Sequence, residues 1–169
     1  DGASRMGWAV NGGTNIRFDH NLLQNIAHAM IDQEPPTTGA LDGLTVSNNT
    51  FGYGRLYFWN ISGASVPIKN VNIVNNTFVN NDTLGMGSGE ILLQYRVYDS
   101  QILNNVVVAN AQAIMIANPY VENAGNVVDG NDWWVVGARP ATATWQWQNE
   151  TYHGFAAYRR ATGNDAHGL

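Results

Sequence analysis

Alternating apolar and polar residues recur along the first 130 positions at intervals close to 28 residues. Five segments align on an Asn, and the spacings between successive Asn residues are 28, 27, 29 and 21. Thirteen of the fifteen positions that lie five and three residues before an aligned Asn, or two after it, are apolar. The residues between them are mostly polar, which is the pattern of a half-buried strand. Each repeat therefore predicts a short strand that turns at its Asn, and the aligned residues are Asn21, Asn49, Asn76, Asn105 and Asn126.

A second strand follows the Asn turn in the first four repeats, over 28–33, 55–60, 90–95 and 112–117. An inward side chain is expected nine residues after the Asn, provided that 81–89 carries about six inserted residues. The inward residues are then Met30, Phe58, Ile91 and Ile114, and alternation sends Ile31, Trp59, Leu92 and Met115 outward. No such coil buries its inner face alone, so the coils must stack. The pattern predicts an all-β parallel solenoid of about five coils.

The amino-acid composition agrees with an all-β solenoid and excludes some classes of function. The 22 Asn and 18 Gly residues favour turns over helix, so a mostly helical protein is nearly excluded. Only 12% of the residues are charged and the net charge is −5, which argues against a nucleic-acid partner. No run of apolar residues is long enough to predict a membrane span.

The composition changes after about residue 131, where the tail holds four of the six Trp residues. A solenoid exposes strand edges and apolar core at each end, so a covering segment is expected there. The chain is therefore divided into an N-terminal segment over 1–14, coils over 15–130 and a Trp-rich cap over 131–169. Because the N-terminal segment has few apolar residues, we expect the solenoid to continue at that end or to associate with another copy.

The segments NNTF (48–51) and IVNNTF (73–78), repeated at this period, resemble the right-handed parallel β-helix repeats of the pectate-lyase-like superfamily over roughly residues 10–130. The closing run 155–168 is similar to the end of secreted bacterial β-helix proteins that act on polysaccharides, with Gly163, Asp165 and His167 at the matching positions. The resemblance implies a right-handed β-helix, a hydrogen-bonded ladder of the aligned Asn side chains, a polysaccharide partner and a location outside the cell or at its surface. It also implies a lyase or glycoside hydrolase-like activity, with Ca²⁺ as a cofactor that lyases of this type often use.

The outward side chains of the second strands form the candidate glycan surface. Aromatic rings stack on sugar rings, and a nearby carboxylate accepts hydrogen bonds from hydroxyl groups. Tyr57, Trp59 and Glu34 are therefore the predicted substrate-binding residues, with Glu90 beside them. An alternative is that a loop, the Trp-rich tail or another subunit covers this apolar face.

Three residues are predicted to be catalytic. Glycosidases use a pair of carboxylates about 5 to 9.5 Å apart, and Asp32 and Glu90 lie near the second-strand face. Arg96, which follows the third of these strands, is the candidate base of the lyase reaction that the resemblance implies. Residues 129–132 (DGND) place oxygen ligands at alternating positions, as Ca²⁺ loops do, but lack the remaining ligands. A noncatalytic carbohydrate-binding module, an adhesin or tailspike repeat and a filament-forming subunit remain as alternatives.

Overall fold

The computed structural model describes residues 6–28, 30–33, 41–55, 59–61, 66–109, 114–135, 137 and 143–169, with the backbone alone at 33 and 59–61. Within these residues the chain forms three sheets of mainly parallel strands and one short helix, α1 (Phe155–Thr162). The first sheet holds β1 (Trp8–Ala9), β4 (Ile31–Gln33), β7 (Trp59–Ile61), β10 (Ile91–Leu93), β14 (Ile114–Asn118), β17 (Thr144–Trp147) and β18 (Glu150–His153). The second sheet holds β2 (Gly13–Asp19), β5 (Leu41–Ser47), β8 (Ile68–Val74), β11 (Val97–Tyr98), β12 (Gln101–Leu103) and β15 (Val127–Asp129). The third sheet holds β3 (Leu22–Gln24), β6 (Thr50–Gly52), β9 (Thr77–Val79), β13 (Val106–Ala109) and β16 (Asp132–Val135).

Successive strands visit the second, third and first sheets in that order, as β2, β3 and β4 do. The result is a parallel β-solenoid of about 4 turns, so the predicted all-β solenoid is confirmed. The structure has about 4 turns where the sequence pattern predicts about five coils. Each turn has three strands and not the two that the sequence pattern predicts, because a short strand such as β6 follows directly after each Asn turn.

Apolar side chains of the second and third sheets fill the interior in columns. One column is Phe18, Val46, Ile73, Ile102 and Val128, and the other is Leu23, Phe51, Phe78, Val107 and Trp133. Phe51 and Phe78 are fully buried, and their ring centroids lie 5.7 Å apart. In the first four repeats these are the positions three before and two after the aligned Asn, so the predicted inward faces of these strands are confirmed.

Asn side chains at the turn between the second and third sheets form a hydrogen-bonded column. Each Oδ1 after the first accepts from the backbone N–H and the side-chain amide of the Asn one turn earlier, at 2.8 to 3.1 Å. Each side-chain amide after the first also donates to a backbone carbonyl of the previous turn. The members of this Asn ladder are Asn21, Asn49, Asn76, Asn105 and Asn131.

The prediction that Asn126 is the fifth member of the ladder is wrong. Asn131 follows Asn105 by 26 residues and takes that place. The Oδ1 of Asn126 instead accepts from the backbone N–H of Ser100 at 3.0 Å, and the Ser100 hydroxyl accepts from Val71 N–H at 3.2 Å. Ser100 and Asn126 thus form a second, shorter column at the position that apolar residues occupy in the earlier turns.

Asp165 ends the Asn ladder. Its Oδ1 accepts from the backbone N–H and the side-chain amide of Asn131 at 3.0 and 3.2 Å, and its Oδ2 accepts from the indole N–H of Trp133 at 2.8 Å. Its backbone N–H donates to the Val128 carbonyl at 2.7 Å, the contact that an Asn side chain makes in the earlier turns. Because a carboxylate has no N–H to donate onward, the ladder stops at this residue.

Asp165 makes the stability of the fold depend on pH. Burial raises the pKa of its carboxyl above the ordinary Asp value of 3.8. Its contribution to stability is therefore fully present below that value and is lost as the pH rises through the folded-state pKa. We expect the wild-type protein to lose stability relative to an Asp165→Asn variant as the pH rises above the ordinary Asp value of 3.8. Urea titrations of both proteins at each pH measure this difference, and a difference that does not change with pH would contradict the prediction.

The chain after the last turn packs an aromatic cluster against the solenoid, as the predicted Trp-rich cap requires. Strand β17 pairs with β14, and β18 folds back antiparallel to β17. Tyr158 of α1 is fully buried and its ring stacks on that of Trp145, with centroids 5.7 Å apart. Gly163 caps the C-terminal end of the helix, and its left-handed backbone (φ 73°) lets its N–H donate to the Arg159 carbonyl.

The register of the first sheet differs from the predicted one. One row of this sheet contains the backbones of Ile31, Trp59, Ile91 and Ile116. Ile31 and Met115, which were expected to point outward, are fully buried, whereas Leu92 is half-buried. Phe58 lies outside the described residues. The prediction failed because continuous apolar runs such as 114–117 carry no alternation from which a register could be read.

Candidate functional site

Glu90, a predicted catalytic residue, is fully buried. Its Oε1 accepts from the backbone N–H of Asn81 at 3.0 Å, and its Oε2 accepts from the Asn81 side-chain amide at 2.8 Å. The Oδ1 of Asn81 accepts in turn from the backbone N–H of Gly54 at 2.9 Å. Through these contacts the Glu90 carboxylate links neighbouring turns by way of Asn81, which is a structural role. Its catalytic role stays a prediction.

Asp32 and Arg96, the other predicted catalytic residues, lie in different turns of the solenoid. Asp32 is only 7% exposed and lies in β4, which is two strands away from β10 in the first sheet. Since Glu90 directly precedes β10, the backbones of the two acids are about 10 Å apart along the solenoid axis at the usual strand spacing. Arg96 is exposed at the corner between the first and second sheets. Catalysis by Asp32 and Arg96 also stays a prediction.

The predicted substrate-binding residues lie largely beyond what the structure describes. Tyr57 and Glu34 are outside the described residues, and for Trp59 only the backbone is described. That backbone pairs with those of Ile31 and Ile91. A substrate-binding role for Tyr57, Trp59 and Glu34 therefore stays a prediction.

The outer face of the second sheet carries a row of hydrogen-bonding side chains. Arg17, Thr45, Asn72 and Gln101 are in register on four successive strands. Each stands between two inward residues, so alternation places it on the outer face. Because neighbouring strands are about 4.8 Å apart, the row presents a guanidinium, a hydroxyl and two amides at a regular repeat.

A groove of about 420 Å³ lies beside the first three members of this row. The strands β2, β5 and β8 are bent at the same level, because Asn15, Gly43 and Asn70 have left-handed backbones with φ of 53°, 77° and 55°. Asn and Gly are the residues that tolerate this conformation best. The side-chain amide of Asn70 donates to Asp42 Oδ1 at 2.6 Å and ties the second and third of these strands together. We call this the polar groove, and its polar lining residues are Asn15, Arg17, Asp42, Thr45, Asn70 and Asn72.

A charged cluster lies at the end of β2, next to the polar groove. The Asp19 carboxylate accepts from the Ser47 hydroxyl at 2.7 Å, the Asn48 amide at 3.0 Å and the Arg17 guanidinium at 2.9 Å. His20 Nδ1 lies 2.7 Å from Asp19 Oδ2. These hydrogen bonds, led by those from Ser47 and Asn48, hold the pKa of Asp19 well below its usual range. The ionised Asp19 therefore holds the Arg17 side chain beside the groove.

The polar groove contains donors and acceptors in one concave surface, which suits a ligand rich in hydroxyl groups. It is not among the sites predicted from the sequence, because the alternation places Arg17, Thr45 and Asn72 on the solvent-facing side and indicates nothing further about them. One feature of the sequence does indicate the row of polar side chains on this face. Its members Arg17, Thr45, Asn72 and Gln101 each stand four residues before an aligned Asn.

The Ca²⁺ loop suggested at 129–132 does not fit a calcium site. Asp129 Oδ1 accepts from the backbone N–H of His167 at 2.9 Å, and Asp129 Oδ2 lies 2.8 Å from His167 Nδ1. These contacts lower the pKa of Asp129 and raise that of His167. Among the residues that the structure describes, no three His, Asp or Glu side chains are grouped to hold a metal ion. Asp129 serves instead to hold the C-terminal segment against β15.

The fold and the Asn ladder define the chain as a parallel β-solenoid, and across the described ranges it has no helix long and apolar enough to cross a membrane. No family model and no solved structure matches the chain. Over 93 residues it is 34% identical to the uncharacterized protein YwoF of Bacillus subtilis (strain 168). The match covers 55% of this chain and 19% of that protein, so the similarity concerns only a part of the relative.

Proposed function

We propose that this chain is the glycan-binding part of a right-handed β-helix protein of the pectate-lyase-like type, located outside the cell or at its surface. The polar groove is the observation that carries the proposal, since six hydrogen-bonding side chains from three successive turns line about 420 Å³. A polysaccharide that runs along the solenoid axis meets an equivalent side chain at every turn. The repeat motifs that resemble this superfamily support the same assignment.

The chemistry of the groove favours a neutral glycan. Arg17 and the side-chain amides of Asn15 and Asn72 donate hydrogen bonds, whereas Asp42 and the amide oxygens accept them. A sugar hydroxyl both donates and accepts, so it satisfies either kind of partner. The positive charge of Arg17 is balanced by Asp19, with which it forms an ion pair at 2.9 Å, so the groove has no strong preference for an anion.

Removing one hydroxyl group and one amide group from the polar groove should weaken glycan binding. We expect the Thr45→Ala/Asn72→Ala variant to bind a neutral glucan oligomer, cellohexaose, about tenfold more weakly than the wild-type protein, since each lost hydrogen bond costs about 0.5 to 1.5 kcal/mol. Isothermal titration calorimetry measures the two affinities.

The matched control is Thr50→Ala/Thr77→Ala, which alters two residues in register on the outer face of the third sheet. Its affinity should equal that of the wild-type protein. Equal affinities for all three proteins would refute the role of the polar groove.

Polysaccharide processing is the second candidate function. It is favoured by the presence of two buried carboxylates on the same side of the solenoid, Asp32 in β4 and Glu90 directly before β10. A processing enzyme would release new reducing ends from a polysaccharide and would lose this activity in an Asp32→Asn variant. A binding module would release none, and its affinity for cellohexaose would not depend on Asp32.

A further inference from the structure

A second cavity, of about 320 Å³, lies where the last turn meets the C-terminal aromatic cluster. We call it the cap cavity. The described residues that line it are mostly apolar and include Met115, Trp133, Val135, Ala143, Phe155 and Leu169. Its volume is at the lower end of the range of small-molecule sites, which begins at about 300 Å³.

The mouth of the cap cavity carries an exposed aromatic ring and a carboxylate. Trp134 and Asp132 both line the cavity and stand two residues apart on β16, so they share the outer face of that strand. Trp134 is 63% exposed, whereas its neighbours Trp133 and Val135 are buried. An exposed ring with a carboxylate beside it is suited to a sugar, because the ring stacks on the apolar face of the sugar and the carboxylate accepts from its hydroxyl groups.

One buried donor in the wall has no partner. Trp145 lines the cap cavity and is 1% exposed, and its indole N–H makes no hydrogen bond in the described structure. A buried donor without an acceptor is unfavourable. An occupant that brings an acceptor into this otherwise apolar space would satisfy it.

We propose that the cap cavity binds an acetylated sugar unit. The sugar ring stacks on Trp134 and donates a hydroxyl hydrogen bond to Asp132. The acetyl group enters the cavity, where its methyl group contacts the apolar walls and its carbonyl oxygen accepts from the Trp145 indole N–H. An acetyl group combines an apolar methyl with an uncharged acceptor, so it matches the apolar surface and the indole donor that the described lining residues offer. This inference rests on the proposed glycan binding and names the sugar class for a site separate from the polar groove.

Two trisaccharides that share a β-1,4-linked backbone test the proposal. Chitotriose carries an acetamido group on each sugar where cellotriose carries a hydroxyl group. Calorimetric titrations of the wild-type protein should give an affinity about tenfold higher for chitotriose, the size of one added hydrogen bond, because only its acetyl group reaches the indole donor. Trp145→Phe removes the N–H but keeps an aromatic ring, and it should abolish the preference.

Trp134→Ala changes an exposed side chain, so it should fold and should also lose the preference for chitotriose. Val121→Ala is the control, because Val121 is 66% exposed and does not line either site. Equal affinities for the two trisaccharides, or a preference that survives both Trp variants, would overturn the proposal.

The groove variant Thr45→Ala/Asn72→Ala separates this inference from the proposed function. If that variant loses cellohexaose binding and the wild-type protein shows no preference for chitotriose, the cap cavity proposal fails alone. A chitotriose preference that depends on Trp134, together with an unchanged groove variant, supports the cap cavity and refutes the groove. A protein that binds neither trisaccharide nor cellohexaose refutes both.

Discussion

Replacing Phe78 by Ala should lower the free energy of unfolding by about 3 to 5 kcal/mol. Phe78 is fully buried, its ring stacks on that of Phe51 and its backbone is in register with Val107. It lies in the middle of the solenoid, where turns on both sides prevent the walls from closing on the cavity that Ala would leave. A denaturant titration of the variant measures the loss.

Asn72→Ala is the control for this prediction, because Asn72 lies on the outer face of the same turn and is half-buried. Its cost should be within about 0.5 kcal/mol. Similar costs for the two variants would mean that the inward and outward faces of this turn are wrongly assigned.

Removing one rung of the Asn ladder should have an effect of similar size. Asn76 is 1% exposed, and its Oδ1 accepts from the backbone N–H and the side-chain amide of Asn49. Its own amide donates to Val46 O and to Asn105 Oδ1. Asn76→Ala would leave several of these buried groups without partners, so we expect a loss of about 2 to 5 kcal/mol in the free energy of unfolding.

The neighbouring residue provides the matched control for the ladder. Asn75 is exposed and has a left-handed backbone with φ 57°, which Gly adopts freely. Asn75→Gly should therefore cost about 1 kcal/mol or less. If both variants unfold at the same denaturant concentration, the side chain of Asn76 has no special role.

The second and third sheets could be predicted from the sequence because their strands alternate and turn at a fixed residue. Val46, Phe51, Ile73 and Phe78 stand at constant offsets from Asn49 and Asn76, and these offsets define the core. The fifth repeat misled the alignment, because both Asn126 and Asn131 are followed two residues later by an apolar residue. Only the hydrogen bonds between turns decide between them.

The candidate site was less predictable, for two physical reasons. The first sheet contains continuous apolar runs, such as Ile91–Leu93, and loops of variable length precede its strands, so neither its register nor its outer face follows from the pattern. The polar groove depends on a backbone bend that three strands share at Asn15, Gly43 and Asn70, and a shared bend becomes visible only when the turns are stacked.

A double-mutant cycle between Asn105 and Asn131 tests most directly whether the turns stack as described. The Asn131 Oδ1 accepts two hydrogen bonds from Asn105, so the two Ala substitutions should be coupled by about 1 kcal/mol or more. The parallel cycle between Asn105 and Asn126 should show additive effects. Coupling of Asn105 to Asn126 and not to Asn131 would contradict the ladder and the register of the whole solenoid.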